Sequence, residues 1–416
     1  MTSTRSNHDK LAEARQYAAI ATAFTLPFST SGQAIAISVF TILALITLDR
    51  DRLAATMRSA VGWTPVALFA LIAAGVFWSI APLPAAAKWI LPYGKLLLIP
   101  LVMATAFTKR QALHIGYGFL ASCTVLLALS WGSILWPTGP WSWFKFPNIP
   151  VKDNAVQSEC FALCAFALAL GAVRLRQFNE NRRALQMTGL AILFFANIFL
   201  IYVSKTGMLV AGSLLVLFLF HVGGWRRMAI VVVPAIAIVA IGLSLSKPAQ
   251  QRIAEITTDV NSLAGGETVS TASRLDFWGK ATGFVRAAPV FGHGTGSIKP
   301  LYQALEAAKP SPYGEAVPDP HNQFLHIVLQ VGLVGGILLL LMWAVHVKIF
   351  LGNSYASVLG LAVVLQNIIG SLFNSHLSQV TQGMLYCCAV GLIASVVRRH
   401  TATSATTARD NASLTP

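Results

Sequence analysis

A chain of 416 residues that is 55% hydrophobic and only 11% charged, with a mean hydropathy of +0.65, has too little charge to cover one or two soluble domains. Its apolar residues fall in blocks near the ~20 residues that cross a bilayer, and helices cross lipid with every backbone group paired. The net charge of +15 does not describe a nucleic-acid binder, because most basic residues sit in short loops between the apolar blocks.

The chain opens with a charged stretch containing Asp9 and Glu13, followed by an apolar run from Tyr17 to Phe28. A second apolar run begins at once, which favours an uncleaved helical hairpin over a cleaved signal peptide. Spans are predicted at approximately 16–30, 33–48, 61–80, 91–107, 113–135, 155–173, 186–203, 206–222, 228–246, 321–346, 354–372 and 380–397. The fold class is therefore an all-α polytopic membrane protein of about a dozen helices. Residues 1–246 hold the first nine spans, 247–320 one long polar loop, 321–397 the last three spans, and 398–416 a tail expected to be disordered. Cys123, Cys160, Cys164, Cys387 and Cys388 lie in apolar blocks without zinc-site or disulfide spacing and read as buried free thiols.

Basic residues give the orientation. About 18 of the 30 lie on the side of the N-terminus, among them Arg50, Arg52, Arg174, Arg182, Arg226, Lys348 and Arg398. Of the others, most lie in the long loop, which the positive-inside rule discounts. Both termini are expected in the cytoplasm and the loop outside.

Within the loop, Ile253, Ile256, Val260 and Leu263 recur at helical spacing up to Gly265-Gly266. A second amphipathic helix is predicted to open near Ser273 with a capping-box-like spacing, to carry Leu275, Trp278, Ala281 and Val285 on one stripe, and to stop at Pro289. Such helices lie in the membrane interface or pack on the bundle. The glycine-rich stretch Pro289–Gly296, with Gly292 and Gly294, is a tight turn or a phosphate cradle. Asp319-Pro320 reads as a helix start, with Asp319 as N-cap and Pro320 in the first helical position. His321 is then placed in the first turn, where the helix dipole favours the neutral imidazole that a general base requires.

Asp49-Arg50-Asp51 is the one aspartate pair with metal-ligand spacing, and it sits in an arginine-rich cytoplasmic loop. The outer acidic residues, Glu159, Asp276 and Asp319 among them, form no tight cluster. Asp276 either orients Arg274 or caps its helix. No metal or cofactor is expected. His376, Lys88, Lys95, Lys145 and Lys152 on the outer side line the same cavity or contact lipid headgroups, and as a group favour anionic glycolipids. Trp136, Trp141 and Trp143 read as an interfacial aromatic belt.

His321-Asn322, followed after nine residues by Gly332-Leu333-Val334-Gly335, resembles the signature of bacterial O-antigen ligases, in a superfamily with O-antigen polymerases and protein O-oligosaccharyltransferases. Arg274 with Trp278, then Pro289, Phe291, Gly292 and Gly294, is similar to the family's upstream pattern. Ser204-Lys205-Thr206-Gly207 is similar to its serine–arginine–glycine element, with lysine in place of arginine. The resemblance implies a GT-C-like glycosyltransferase of the bacterial inner membrane, without metal. It would transfer a glycan from undecaprenyl diphosphate to lipid A–core at the periplasmic face and invert the anomeric carbon. His321 would be the base, and Arg274 and Lys205 would hold the diphosphate. Asn322, Trp278, Gly292, Gly294 and His376 would support them. A polymerase acting on the lipid carrier is the alternative within the superfamily, with a protein O-oligosaccharyltransferase third. A glycolipid transporter is the alternative outside it. Spans nearly free of charge at mid-depth favour the interfacial enzyme over the transporter.

Overall fold

The computed structural model describes residues 7–144, 148–151, 153–201, 204–223, 250, 270–310 and 319–412, apart from the side chains of 270–273 and 399–412. Among these residues the regular elements are all helical. They are α1 (Asn7–Thr25), α2 (Thr30–Ile46), α3 (Arg50–Met57), α4 (Ala60–Ala74, continued by a 3₁₀ turn Gly75–Trp78), α5 (Leu83–Lys88), a 3₁₀ segment Leu91–Leu97, α6 (Leu98–Thr105), α7 (Lys109–Leu135), α8 (Asn154–Gln177) and α9 (Asn181–Leu200). After them come α10 (Lys205–Gly223), α11 (Ser270–Ala287), α12 (Ile298–Ala308), α13 (Gln323–Ile349), α14 (Tyr355–Ser371) and α15 (Val380–Ala412).

Side-chain caps set many of the starts. Ser29 accepts the Gly32 amide at α2, Asp153 the Ala155 amide at α8, and Ser204 the Gly207 amide at α10. Thr108 and Gln111 complete a capping box at α7. Asp49 caps α3 and pairs with Arg52 at 2.9 Å, so the aspartate pair serves a helix end.

Among the described residues, eight helices are long and apolar enough to cross a membrane, and α2 with α3 makes a ninth if that pair, bent by 107°, counts as one span. The chain is a multi-pass helical membrane protein. The predicted span at 228–246 and the amphipathic stretch Ile253–Leu263 lie outside the described residues. Two expectations shift. The first helix lies at Asn7–Thr25, within the charged stretch, and ends just before Pro27, which cannot continue it. The last helix runs to Ala412 through the segment expected to be a disordered tail. No proline or glycine interrupts residues 398–412, so each further residue adds a hydrogen bond to an existing helix.

The basic residues gather at one end of the bundle. Arg15 donates to Thr47, Arg398 to Ser59, and Arg174 to the Asn353 carbonyl. The large apolar core includes the buried thiols of Cys123, Cys160, Cys164 and Cys387. A second, smaller core lies at the other end. There Phe277 and Ala281 of α11 meet Ile298 and Tyr302 of α12 over Leu329 of α13. Each such side chain adds about 1.5–3 kcal/mol by burial. Trp278, Phe284 and Val285 flank it, whereas Leu275, expected on that stripe, points outward. Lys280 ties the two helices together through Asp276 at 2.7 Å and Glu306 at 3.3 Å. Asp276 thus serves this junction, on a helix already formed at Ser270, ahead of the opening expected near Ser273.

The glycine-rich stretch is built into a broken span. α13 loses helical geometry at Val331 and Gly332, roughly 14 Å from its start at 1.5 Å per residue. Residues 289–294 lie along the break. His293 and Gly294 amides donate to the Leu329 and Gln330 carbonyls, and the Leu333 and Val334 amides donate to the Pro289 and Val290 carbonyls. Its far side reaches α4: the Thr295 amide donates to the Gly75 carbonyl and its hydroxyl to the Ile72 carbonyl. Irregular backbone at membrane depth survives only where protein satisfies it, and here two broken segments satisfy each other. With its amides engaged in this way, the stretch is a structural splice rather than a phosphate cradle.

Candidate functional site

The splice fixes α11 and the start of α13 at the end of the bundle away from the basic cluster. Between them runs Asp319-Pro320-His321-Asn322. The helix start expected at Asp319 lies three residues on: α13 begins at Gln323 with Asn322 as N-cap, its side-chain oxygen accepting the Leu325 amide at 3.0 Å. Asp319 instead caps a turn. Its Oδ1 accepts the His321 amide at 2.9 Å, the Asx-turn pattern that aspartate two residues upstream makes. His321 is therefore not in the first helical turn. It stands before the helix with φ +54°, a left-handed setting that histidine adopts more readily than most residues. Its ring is half-buried, with Nδ1 enclosed and making no hydrogen bond among the described residues.

Neighbouring side chains lock this corner. Trp278 donates its indole N–H to the Pro320 carbonyl at 3.0 Å. Asn322 Nδ2 donates to the Leu372 carbonyl at 3.1 Å, joining the corner to the end of α14. Asn322→Ala removes both bonds and should destabilise the protein by about 0.5–2 kcal/mol; thermal unfolding in detergent would show a midpoint lowered by a few degrees.

Asp319 is the electrostatic centre. The same Oδ1 accepts the Ser375 hydroxyl at 2.5 Å and faces His326 Nδ1 at 3.4 Å. Burial opposes ionisation of this carboxyl. The hydrogen bond and charge of His326, the Ser375 bond and the charge of His321 outweigh that, and hold it well below the usual carboxylate range. Arg274, half-buried on α11, feels the same charge: burial lowers its guanidinium from the ordinary value and Asp319 raises it. A group that starts above 12 remains a cation at neutral pH.

His326 lies beneath this surface, fully buried, with its ring 5.5 Å from Trp89 and 6.2 Å from Tyr93. Next to Ser375, His376 is fully buried as well, with Nε2 3.3 Å from Glu159 Oε1 in α8, whose other oxygen accepts from Gln366 at 2.7 Å. His376 therefore braces the site from inside rather than lining an open cavity. The Gly370 backbone leaves room for it, since a β-carbon there would overlap the ring. Lys95, expected to line the cavity or contact lipid headgroups, is buried and donates to the Ser378 and Gln379 carbonyls, pinning the same loop. Lys145 and Lys152 lie outside the described residues, and Trp136 and Trp143 are exposed as an interfacial belt requires.

Lys205 comes from another element. It is the first residue of α10, whose start packs on α8 so closely that a β-carbon on Gly207 would lie 2.4 Å from Ser158 Cβ. Ser158 adjoins Glu159, the partner of His376, so α10 opens on the flank of the same cluster. A cation at a helix N-terminus opposes the dipole, so Lys205 adds nothing to the stability of α10 by that route.

The structure thus joins His321, Asn322, Trp278 and Arg274 around Asp319, puts His376 behind them, and assigns Gly292 and Gly294 to the splice. Sequence reasoning passed over His326, Ser375 and the pairing of Glu159. A carboxylate among apolar residues in α8 was the available signal, since buried acids seek partners.

At one end of this multi-pass bundle the His321 backbone and the Arg274 guanidinium both face Asp319. Residues 189–340 match the family model described as O-antigen ligase. That is the family whose signature His321, Gly332 and Gly335 resemble. The match runs from α9 to the second half of α13 and includes Lys205, Arg274, Asp319, His321 and His326. No curated protein matches the chain.

Proposed function

We propose that the protein is an O-antigen ligase, which transfers a glycan from undecaprenyl diphosphate to lipid A–core at the periplasmic face of the bacterial inner membrane. The observation that carries this reading is the meeting of Arg274 and His321 on Asp319 inside the segment that matches the family. The acceptor hydroxyl attacks the anomeric carbon while the bond from that carbon to the diphosphate oxygen breaks. The hydroxyl proton passes to the imidazole of His321, and the electron pair leaves with the diphosphate. Attack from the face opposite the leaving group inverts the carbon. Arg274 offers a two-pronged grip on the departing charge, and Lys205 adds a point charge with the positive end of α10 behind it. Each charge-assisted bond contributes about 1.5–3 kcal/mol. Fixed cations of this kind work best where the charge develops.

The purified protein should be incubated with undecaprenyl-diphosphate-linked glycan and either lipid A–core or further donor. Glycan attached to lipid A–core supports the ligase. Longer glycan still on undecaprenyl diphosphate would make it a polymerase, and no product from either mixture would end the enzymatic reading. Movement of labelled glycolipid across vesicles containing the protein alone would favour a transporter.

Lysine at position 205 keeps the charge of the family's arginine without its fork. Lys205→Arg should retain activity and Lys205→Ala should lose about 10-fold or more, in line with one charge-assisted bond. Equal transfer by the two variants would remove Lys205 from the site.

A further inference from the structure

We propose that Asp319 is the positioning residue of this site: one carboxylate sets the backbone of His321, holds Arg274 in its field, and is itself steadied by Ser375 and a second, buried histidine, His326. The proposal rests on the glycosyl-transfer reading above and adds to it the residue through which base and cation are coupled.

The geometry carries it. A single oxygen gathers the His321 amide at 2.9 Å, the Ser375 hydroxyl at 2.5 Å and His326 Nδ1 at 3.4 Å. Among the described residues, the charged and titratable groups facing Asp319 are His321, His326, Arg274, Tyr302 and Tyr93. Ser375 comes from the loop between α14 and α15, 56 residues on, and His326 from the first turn of α13, so the carboxylate ties the start of α13 to a loop remote in sequence. By dyad logic alone His326 would be the base, because its ring faces the carboxylate and its Nε2 makes no hydrogen bond among the described residues. It is, however, fully buried against Trp89 and Tyr93, where a lipid-anchored hydroxyl cannot reach. His321 is half-buried and can meet an acceptor. The arrangement therefore divides the labour: His326 and Ser375 keep Asp319 ionised and fixed, and Asp319 keeps His321 in its left-handed setting.

Asp319→Asn removes a charge while keeping the shape of the side chain, which gives a signature that mere loss of packing does not produce. In Asp319→Asn, kcat for glycan transfer should fall by about 10²-fold with KM for the donor changed far less, and the acidic limb of the pH–kcat profile should move. Ser375→Ala keeps the charge and loses one bond, so it should show a smaller fall in kcat and little movement of the limb. Wild type and His321→Ala are measured beside them. An active wild type and an inactive His321→Ala with an Asp319→Asn variant of normal kcat and pH profile would overturn the inference and leave the function standing. An inactive wild type would overturn both. If Asp319→Asn does not fold, Ser375→Ala and His326→Asn probe the same centre, and wild-type kcat in both would overturn it. The ring titration of His321, followed by NMR in labelled protein carrying His326→Asn, checks the charge effect without turnover. An unchanged titration when Asp319→Asn is added counts against the proposal.

Discussion

His321→Ala should lower glycan transfer by about 10²–10⁴-fold, the range for losing a general base, with donor binding little changed. His321 stands outside the helix, held by an Asx-turn and by Trp278 on the Pro320 carbonyl, and both contacts use main-chain atoms. Removing the imidazole leaves them in place, so the variant should fold, with its unfolding midpoint lowered by only a few degrees for alanine at φ +54°. Arg274→Ala should be at least as damaging, because Arg274 would stabilise the leaving diphosphate in the transition state, and Arg274→Lys should recover only part of the loss, since a point charge cannot make the paired bonds of a guanidinium. Transfer assays on purified variants, with thermal unfolding as the control for folding, distinguish these effects. Normal attachment of glycan by His321→Ala would show that another group takes the proton.

What the sequence made legible was set by local rules. The long apolar stretches and the halt of α11 before Pro289 follow from composition and nearest neighbours. So did the candidate pair Arg274 and His321, through the spacing of a resemblance. The start of α13 was misplaced because Asp319 and Asn322 are both good capping residues, three positions apart. Which of them caps the helix depends on where Asp319 finds its other partners, and Ser375 is far along the chain. Lys95 and His376 read as outer-surface residues because their partners, the Gln379 carbonyl and Glu159, are likewise remote in sequence. The glycine-rich stretch had two local readings, turn or phosphate cradle. The third, repair of a broken helix, needs the break at Gly332 to be seen first.

Gly332→Ala should be the most disruptive single change in the molecule outside the chemistry. At φ +68° and ψ −171° this residue occupies a region open essentially to glycine alone. An added β-carbon would sit 2.0 Å from the Val290 carbonyl oxygen and 2.5 Å from the Phe291 amide nitrogen, both main chain and unable to rotate away. Residues 289–294 would have to leave the break, which uncouples the four backbone hydrogen bonds that join them to α13. In a dry interior each unpaired group costs about 1–3 kcal/mol, and strain adds about 1–3 kcal/mol, together comparable with the ~5–15 kcal/mol that holds a typical domain. Gly335→Ala is the matched control, since its closest obstacles are the Val331 and Ile327 methyl groups, at 2.3 and 3.0 Å, which side-chain adjustment can relieve. Hydrogen exchange in detergent should show residues 289–296 losing protection in Gly332→Ala and keeping most of it in Gly335→Ala. Because the splice also seats α11, transfer should vanish with that protection although neither glycine touches substrate. A Gly332→Ala protein with wild-type exchange and activity would mean that the break in α13 is not what holds Arg274 beside His321.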